Sequence, residues 1–304
     1  MVENVRLPLV TIGIPLYNEE KYILETVESA INQTYKNIEI IISDNCSTDC
    51  SLKKINEIIQ QNINVQLVKH PFNIGGVANF NFLKNESKGE YFMWLGAHDI
   101  ISKNYIEKSI KVLEENSSIV MAYHNAAFFS GELNLENLQG DAGSYIDTMH
   151  YTKAIDRMHK VVSKLSYCTA IHGVFRTEVL RSINIKKDII GPDNLVLFET
   201  AAFGHIKRIN KIAYFRRTMH VKEDQDQKMK RYQKYKLIEK INSKPINALA
   251  EHHILFLMST EKLTFLDKLN LIRDVIALFY RQYNVSRTLM IRQTFSSFIF
   301  AKKM

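Results

Sequence analysis

Two strongly apolar runs that each end in an aspartate constrain this chain more than any other feature. The first run covers Ile38 to Asp44 and the second covers Tyr91 to Asp99. β-branched and aromatic residues dominate both runs, which is typical of buried strands. Helical patterns separate these runs from each other and from an opening strand at Leu9 to Ile14. This alternation predicts an α/β fold with a mostly parallel central sheet and crossover helices.

The two aspartates fall where sheets of this kind bind ligands, in the crevice beyond the carboxyl ends of the strands. Acidic groups at that edge can meet a hydroxylated or phosphorylated ligand, either directly or through a metal ion. The sequence therefore predicts a ligand site near Asp44 and Asp99.

Composition and charge limit the domain organisation of the chain and the class of its partners. A chain of 304 residues with 46% hydrophobic content fits one large domain or one domain with an appendage. The net charge of +8 favours an anionic partner, whether nucleotide phosphates, nucleic acid or an acidic bilayer. Nucleic acid is the weakest of these, because the basic residues are scattered and no recognition motif accompanies them. We expect no nucleic-acid partner.

The cysteines and the apolar segments predict the cellular compartment of the protein. Three cysteines, Cys46, Cys50 and Cys168, favour neither a disulfide framework nor a four-ligand zinc site, so a reducing cytoplasm is expected. The chain reaches a strand within ten residues, which leaves no room for a signal peptide. No stretch approaches eighteen uninterrupted apolar residues, so no spanning helix is expected.

The organisation of the chain changes along its length. Helical patterns cover Glu20 to Gln33, Asp49 to Gln61 and Asn104 to Glu115, and further strands are predicted at Val65 to Val68 and Ile119 to His124. From Ala126 to about Lys164 the pattern weakens, and loops that select the substrate are expected there. Residues 1–222 are predicted to form the main domain and residues 223–304 a helical carboxy-terminal extension.

The last segment, Val285 to Met304, combines apolar residues with Arg and Lys at helical spacing. Such a basic amphipathic helix can lie on an anionic membrane surface, on the inner face in a cytoplasmic protein. The alternative is that the helices of the carboxy-terminal extension cap the main domain or form a homodimer contact.

Three polar turns supply candidate ligand-binding residues. Pro15, Tyr17, Asn18 and Glu19 follow the first strand; Asp44 and Ser47 follow the second; Asn73, Gly75 and Asn79 occupy the turn and helix start after the third. The second turn offers acceptors and hydroxyls for a nucleobase and ribose, although Ser47 and its neighbours suit a helix cap equally well. Glycines in the third turn allow the backbone to approach a phosphate or sugar closely.

Ala97, His98 and Asp99 follow the apolar part of the second run. Mg²⁺ and Mn²⁺ take oxygen ligands and often bridge one or two carboxylates to substrate phosphates. Asp99 is the predicted carboxylate ligand, and His98 is a helper if the ion is Mn²⁺.

These motifs together resemble a known family. The order Val10 to Glu19, Gln33-Thr34-Tyr35, Ile41 to Asp49, Asn73 to Gly76 and an acidic residue at Asp99 is similar to that of family-2-type glycosyltransferases with the GT-A fold. The resemblance extends over roughly residues 8 to 217. It implies that the early loop and Asp44 hold the nucleotide, that the Asp99 region holds the metal and diphosphate, and that a later carboxylate is the catalytic base.

Asp193, in Gly191-Pro192-Asp193 before a helical stretch closed by Gly204, fits the position of that base. A helix cap is the alternative for Asp193, and Glu199 is the second candidate for the base. Arg216 and Arg217 are candidates for neutralising the leaving diphosphate, since guanidinium groups suit phosphate oxygens, and His98 or His220 is the candidate for a second metal ligand. Many relatives carry a full Asp-x-Asp, whereas this chain shows one carboxylate in Gly96-Ala97-His98-Asp99.

The resemblance implies inverting transfer of a sugar from a nucleotide-sugar donor to a hydroxyl of a glycan or lipid-linked acceptor, as in surface polysaccharide synthesis. Two alternatives stay open: a sugar-phosphate nucleotidyltransferase, and a non-catalytic nucleotide or glycan binder on the same fold. A dinucleotide-dependent oxidoreductase is disfavoured, because the Gly-x-Gly-x-x-Gly turn is absent after the first strand.

Overall fold

The computed structural model describes residues 7–60, 62–140, 145–164, 168–183, 185, 191–218 and 245–283. The strands are β1 (Val10–Leu16), β2 (Ile38–Asp44), β3 (Val65–Lys69), β4 (Tyr91–Trp94), β5 (Ile100–Ile101), β6 (Ile119–Phe129), β7 (Val174–Arg176) and β8 (His205–Arg217). The α-helices are α1 (Ile23–Ile31), α2 (Ser51–Ile59), α3 (Gly76–Glu86), α4 (Tyr105–Glu115), α5 (Ala154–Lys164), α6 (Thr177–Ser182), α7 (Pro192–Phe203), α8 (Pro245–Ser259) and α9 (Phe265–Tyr283). Two 3₁₀ turns cover Leu135–Asn137 and Cys168–His172.

All eight strands join one sheet in the order β3-β2-β1-β4-β7-β6-β8-β5. Strands β1 to β4 pair in parallel, as do β6 and β8, whereas β7 and β5 run antiparallel to their neighbours. The register sets Leu16 of β1 opposite Asp44 of β2 and Asp44 opposite Lys69 of β3. The predicted α/β fold with a mostly parallel sheet is confirmed, and three strand ends meet at one edge.

Helices cover both faces of the sheet. On one face, α1, α2 and α4 pack against side chains such as Ile12 and Ile40. On the other face, α3, α5 and α7 pack around Phe92 and Trp94, the latter fully buried with its indole N–H donating to the carbonyl of Phe80. Burying these apolar surfaces drives the assembly, and it fixes the strand ends that carry the polar turns.

The weakly patterned stretch is more regular than expected. Strand β6 continues to Phe129, and α5 occupies Ala154–Lys164, where loops were predicted. The buried face of α5 includes Arg157, whose Nε donates to the carbonyl of Ala201 at 3.0 Å and whose Nη1 donates to that of Thr152 at 2.8 Å. Because a charged residue occupies the buried face, the apolar periodicity that would predict a helix is interrupted.

The helices after Pro245 pack onto the main domain. Ile254 and Leu257 of α8 and Leu271 and Val275 of α9 are buried in the cluster that contains α5 and α7. This packing matches the alternative in which the carboxy-terminal helices cap the main domain. The predicted membrane-surface helix at Val285 to Met304 lies outside the described residues. Among the helices that are described, none has the length and apolarity needed to cross a bilayer.

The first half of β8 forms an edge of the sheet. Within the described residues, β6 pairs with the whole strand, whereas β5 reaches only Tyr214 and Phe215. Opposite His124 and Asn125, β8 carries two additional residues, Asn210 and Lys211, which make a bulge. This edge is therefore irregular and charged.

Candidate active site

The turns after β1 and β2 are joined by hydrogen bonds. The backbone N–H of Asn18 donates to Oγ of Ser47 at 3.0 Å, and the N–H of Thr48 donates to Oδ1 of Asn18 at 2.8 Å. Asn18 has a φ of 54°, a left-handed conformation that asparagine tolerates better than most residues. Asn18 therefore serves as a bridge between the two turns.

Three further bonds join the same two turns. The N–H of Glu19 donates to Oγ of Ser51 at 3.0 Å, that of Glu20 donates to Oδ2 of Asp49 at 3.0 Å, and that of Cys50 donates to Oε2 of Glu20 at 2.7 Å. These contacts restrict the rotamers of the loop side chains before any ligand arrives. A preorganised loop lowers the entropy cost of binding.

Pro15 and Tyr17 occupy the end of β1. Pro15 lies opposite Ser43 of β2, whereas the pairing of β1 with β4 stops at Gly13 and Trp94. The missing proline N–H therefore removes no bond to β4. Tyr17 follows the strand with 39% of its surface exposed, so its ring is open to a ligand.

Asp44 is buried at the carboxyl end of β2. Each of its carboxylate oxygens lies 3.2 Å from the backbone nitrogen of Ser47, and its carbonyl accepts from the N–H of His70 at 2.9 Å. A single N–H leaves other lone pairs of the carboxylate available. The side chain can accept from a ligand while it shapes the turn.

The third turn is held by asparagines. Oδ1 of Asn73 accepts from Nδ2 of Asn45 at 3.0 Å and from the N–H of Gly75 at 2.9 Å. Gly75 has a φ of 88° and open space where a Cβ would stand. Asn79 is buried, and its carboxamide bonds to both Oγ and the carbonyl of Ser43. Asn79 thus supports the β2 terminus, and its contact with a donor stays a prediction.

Asp99 lies beyond β4, which ends at Trp94, and directly before β5. Its buried carboxylate accepts from the Tyr214 hydroxyl at 2.7 Å through Oδ2 and from the Arg217 backbone N–H at 2.9 Å through Oδ1. A Cβ on Gly96 would stand 2.5 Å from Oδ2, so the loop needs glycine there. Ala97 is also buried, which favours a small residue beside the carboxylate.

His98 connects the Asp99 loop to the turn after β1. Its Nδ1 lies 2.9 Å from Oε1 of Glu19, and its Nε2 lies 3.9 Å from Oδ1 of Asp99. Burial acts to lower the pKa of His98, but the two neighbouring carboxylates outweigh it and raise the pKa. Favourable pairing of an imidazolium with two carboxylates explains the direction.

Arg217 is directed into the protein. Its side chain is 1% exposed, Nη2 pairs with Oε2 of Glu25 at 2.6 Å, Nε donates to the carbonyl of His98 at 2.9 Å, and Nη1 donates to that of Gly131. The guanidinium also stacks on the ring of Tyr22 at 4.2 Å. These partners do not support the predicted donor contact of Arg217. Its contacts instead fix the His98 and Asp99 loop.

Arg216 points to the other side of β8, as alternation along a strand requires. Its Nη1 donates to Oγ1 of Thr169 at 3.2 Å. The charge of Arg216 acts to lower the pKa of Asp193 and that of His172. Of the two adjacent arginines, Arg216 is therefore the one beside the candidate base.

Asp193 is the second residue of α7, after Gly191 in the left-handed conformation and Pro192 at the first helical position. Burial raises the pKa of Asp193, and the opposing contributions of backbone N–H groups, Cys168 and Arg216 do not cancel that effect. A carboxylate with a raised pKa is a better proton acceptor. The N-cap position is occupied by Gly191, so the structural alternative for Asp193 is an acidic residue in the first turn that accepts from its N–H groups.

Glu199, the second candidate for the base, lies within the helix and is buried. Its charge acts on Lys84 of α3, whose pKa is lowered mainly by burial. The ammonium of Lys84 donates to the carbonyl of Ile183 at 2.8 Å. The charge of Lys84 therefore balances that of Glu199 inside the fold. Asp193 is the better candidate for the catalytic base.

Sequence reasoning missed His172 and Tyr214. Nδ1 of His172 lies 3.0 Å from the carbonyl oxygen of Trp94, and its ring stacks on Tyr214 with centroids 4.8 Å apart. Burial lowers the pKa of His172 to about 4, so the ring is neutral at neutral pH. The stacked pair supports the hydroxyl that binds Asp99, and no motif in the sequence indicates this long-range contact.

The surroundings of Asp99 can be compared with the predicted metal site. His98 and Asp99 are adjacent, but among the described residues no three His, Cys, Asp or Glu side chains form a group that could hold a metal ion. His220, the other predicted ligand, lies outside the described residues. Both carboxylate oxygens of Asp99 already accept hydrogen bonds, and Nδ1 of His98 pairs with Glu19, so their roles as metal ligands stay predictions.

Solved structures share this fold. The chain matches residues 1–349 of Staphylococcus aureus TarS in complex with UDP-GlcNAc with a TM-score of 0.68 at 17% identity, covering 92% of this chain and 74% of that one. It matches the mannosyltransferase PcManGT of Pyrobaculum calidifontis, in complex with GDP-Man and Mn²⁺, with a TM-score of 0.54 at 12% identity, covering 96% and 81%. The architecture is that of GT-A glycosyltransferases.

The family is shown by the sequence itself. The model of glycosyl transferase family 2 matches residues 11–183, more than half of the chain, which therefore belongs to that family. An uncharacterized glycosyltransferase of Haemophilus influenzae is 37% identical over 128 residues, covering 42% of this chain and 51% of the relative. The chondroitin synthase of Pasteurella multocida is 34% identical over 119 residues, covering 39% and 12%. The matches thus span about half or less of these relatives' own lengths.

Proposed function

We propose that the protein is an inverting glycosyltransferase that moves a sugar from a nucleoside-diphosphate sugar to an acceptor hydroxyl. The observation that carries this proposal is the grouping of Asp193, Arg216 and Asp99 at the strand-end edge of the sheet, with the interlocked turns after β1 and β2 at the same edge. Family membership supplies the reaction class.

The donor lies along the strand ends in this proposal. Asp44 accepts from the base, Asn18 and Ser47 shape the ribose region, and the Asn73 to Gly75 turn lies against the sugar or phosphate. A uridine nucleotide is the first donor to test, because the TarS structure was solved in complex with UDP-GlcNAc.

Asp99 and His98 would hold a divalent cation, with His220 as the further candidate. When bound, the ion offsets the charge that grows on the leaving diphosphate. We expect Asp99→Asn to abolish the Mn²⁺-dependent part of UDP binding and His98→Ala to reduce it less. Calorimetric titration with and without chelator measures both. Unchanged binding in both variants would remove the metal from the proposal.

The chain's own residues supply the remaining chemistry. Asp193 accepts the proton of the acceptor hydroxyl as that oxygen attacks the anomeric carbon. The acceptor oxygen attacks the face of the anomeric carbon opposite the diphosphate. The bond from that carbon to the diphosphate oxygen then breaks, so the configuration at the anomeric carbon inverts. Arg216 holds the departing diphosphate, since a guanidinium matches phosphate oxygens in geometry and charge.

A glycan or lipid-linked acceptor is proposed, within surface polysaccharide synthesis. The name of the related chondroitin synthase is consistent with a polysaccharide product. The proposed location is the cytoplasm, peripherally at the inner face of the membrane, because the net charge of +8 attracts an anionic surface.

The direct test is a thermal-shift series with UDP, GDP and CDP, each with and without Mn²⁺. A ligand at one hundred times its dissociation constant stabilises the folded protein by about 2.7 kcal/mol. We expect one base to stabilise the protein more than the others. Turnover of the corresponding nucleotide sugar is then measured as release of free nucleoside diphosphate.

The single carboxylate in Ala97-His98-Asp99 favours one other function, a non-catalytic nucleotide or glycan binder. A binder would show the thermal shift without releasing nucleoside diphosphate. An enzyme would show both.

A further inference from the structure

His172 ends the 3₁₀ turn that precedes β7, and this turn contacts the surroundings of two charged groups in the site. The ring of His172 stacks on that of Tyr214, whose hydroxyl donates to Oδ2 of Asp99 at 2.7 Å. Earlier in the same turn, Oγ1 of Thr169 accepts from Nη1 of Arg216 at 3.2 Å. His172 therefore lies in the part of the site between Asp99 and Arg216.

Three contacts fix the imidazole of His172. Its Nδ1 lies 3.0 Å from the carbonyl oxygen of Trp94, and its ring is nearly parallel to that of Tyr214, with an interplanar angle of 14°. Its backbone carbonyl accepts from the Tyr105 hydroxyl at 2.8 Å. A Cβ on the next residue, Gly173, would stand 2.8 Å from a carbonyl oxygen of β6, so the turn lies tightly against that strand. The orientation of the ring is thus set before any ligand arrives.

The contact with Trp94 also determines the tautomer of His172. A carbonyl oxygen can only accept, so Nδ1 must carry the hydrogen. Burial lowers the pKa of His172 to about 4, so Nε2 carries no hydrogen at neutral pH. Among the described residues, the hydrogen bond of this ring is the one made by Nδ1, and the residue as a whole is partly exposed. Nε2 therefore offers a lone pair to a donor.

We propose that His172 contacts the substrate and that its Nε2 accepts a hydrogen bond from a hydroxyl of the transferred sugar. This inference rests on the proposed function, in which the sugar lies between the diphosphate beside Asp99 and the base Asp193. Trp94 is the last residue of β4, so Nε2, across the ring from Nδ1, faces the space beyond the strand end, where sheets of this kind bind ligands.

The chemistry of the ring selects the group that it binds. A neutral imidazole nitrogen with a lone pair attracts a hydroxyl, which can donate, and repels ionised phosphate oxygens, which only accept. A nitrogen with so low a pKa is also a weak proton acceptor, so His172 does not replace Asp193 as the base. Its expected role is the choice of donor sugar.

Two variants of similar shape separate the two ring nitrogens. In His172→Asn, the amide N–H can replace Nδ1 towards Trp94, but no atom replaces Nε2. In His172→Gln, the amide oxygen can reach the position of Nε2, but the bond to Trp94 is lost. His124→Gln is the matched control, because His124 is also a buried histidine with a pKa lowered to about 4, and its ring lies 4.5 Å from that of Tyr105.

Calorimetry measures the affinity of each protein for UDP and for four probe donors, which are UDP-glucose, UDP-GlcNAc and their C4 epimers. We expect the native protein to discriminate among the four. His172→Asn should bind UDP as the native protein does, but should lose roughly fivefold to tenfold in affinity for the preferred donor, the effect of one lost hydrogen bond. His172→Gln should recover that affinity, although its melting temperature falls. His124→Gln should keep the native affinities.

A purely structural role for His172 predicts the reverse order, with native affinities in His172→Asn and losses in His172→Gln. Native donor affinity in a folded His172→Asn protein, or an equal loss for UDP and for the donors, would overturn the sugar contact. A native protein that does not discriminate among the four donors would overturn it too. A native protein that binds no UDP would instead contradict the uridine donor of the proposed function.

Discussion

The two halves of the site are built in different ways. On the side of β1 and β2, the turns bond to each other through residues about one crossover unit apart, such as Asn18 and Ser47, separated by 29 positions. On the side of β8, Asp99 is held by Tyr214 and Arg217, at separations of 115 and 118 positions. The first half can form within one supersecondary unit. The second half needs the whole sheet.

Arg216 and Arg217 show the same contrast between neighbours. Arg217 is enclosed by Glu25, Tyr22 and the carbonyl of His98, and these contacts stabilise the fold. Arg216 faces Thr169 and the charge of Asp193, and so serves the proposed chemistry. The sequence presents the two as equivalent, and only the strand direction distinguishes them.

The largest expected effect is on the β8 side, at Asp193. Asp193→Asn should lower turnover by about 100-fold or more while leaving nucleotide affinity nearly unchanged, because a base acts on the acceptor in the transition state. The raised pKa of Asp193 further places the acid limb of the pH profile above the range of an ordinary aspartate. Steady-state assays and calorimetry measure the two quantities. A folded Asp193→Asn protein with retained activity would indicate a structural role for Asp193 in the first turn of α7 and not that of the base.

The adjacent arginines test the contrast directly. Arg217→Met should destabilise the fold by about 3 kcal/mol, because the carbonyl oxygens of His98 and Gly131 and the carboxylate of Glu25 lose their buried donor. Arg216→Met should change stability by less than about 1 kcal/mol but weaken UDP binding roughly tenfold, as expected for loss of a charged hydrogen bond. Urea unfolding measures the stability of both variants, and calorimetry measures their affinity for UDP. Equal losses of stability would abolish the distinction between the two residues.

On the β1–β2 side, Asp44 is the most sensitive position. Asp44→Ala should weaken nucleoside-diphosphate binding by roughly 1–3 kcal/mol, the cost of leaving a ligand donor unpaired. Asp44→Asn keeps one acceptor oxygen and should lose less. Calorimetry gives both affinities, and an unchanged affinity in a folded Asp44→Ala protein would contradict the predicted base contact.

A glycine pair probes how tightly the Asp99 loop is packed. Gly96→Ala places a methyl group 2.5 Å from Oδ2 of Asp99 and should cost roughly 1–3 kcal/mol of stability. Gly76→Ala meets nothing within 4 Å and should be neutral or stabilise by up to about 1 kcal/mol. Thermal melts compare the two. A harmless Gly96→Ala would indicate a loop looser than the β8 contacts suggest.

The same contrast explains what the sequence could predict. The opening strands, their crossover helices and the polar turn at Asp44 follow from periodicity and strand-end position, and the structure confirms those elements. Strands β5 and β7 have two and three residues, which is too short for a pattern. His172 lies in a 3₁₀ turn, and its hydrogen bonds join it to Tyr105 and Trp94, which are more than sixty positions away in the sequence. The binding and catalytic roles at Asp44 and Asp193 stay predictions.

The exposed edge of β8 has a consequence for how copies of the molecule meet. In the described structure β6 is the strand that pairs with residues 207–212, Asp147 also accepts from the N–H of Arg208 and pairs with Lys207, and Ile212 is 43% exposed. A strand edge that pairs with no second strand and carries an apolar side chain invites addition of a foreign strand. The bulge at Asn210 and Lys211, together with the charge of Lys211, opposes that addition. Because salt screens such repulsion over about 8–10 Å at moderate ionic strength, colloidal stability should decline as salt rises.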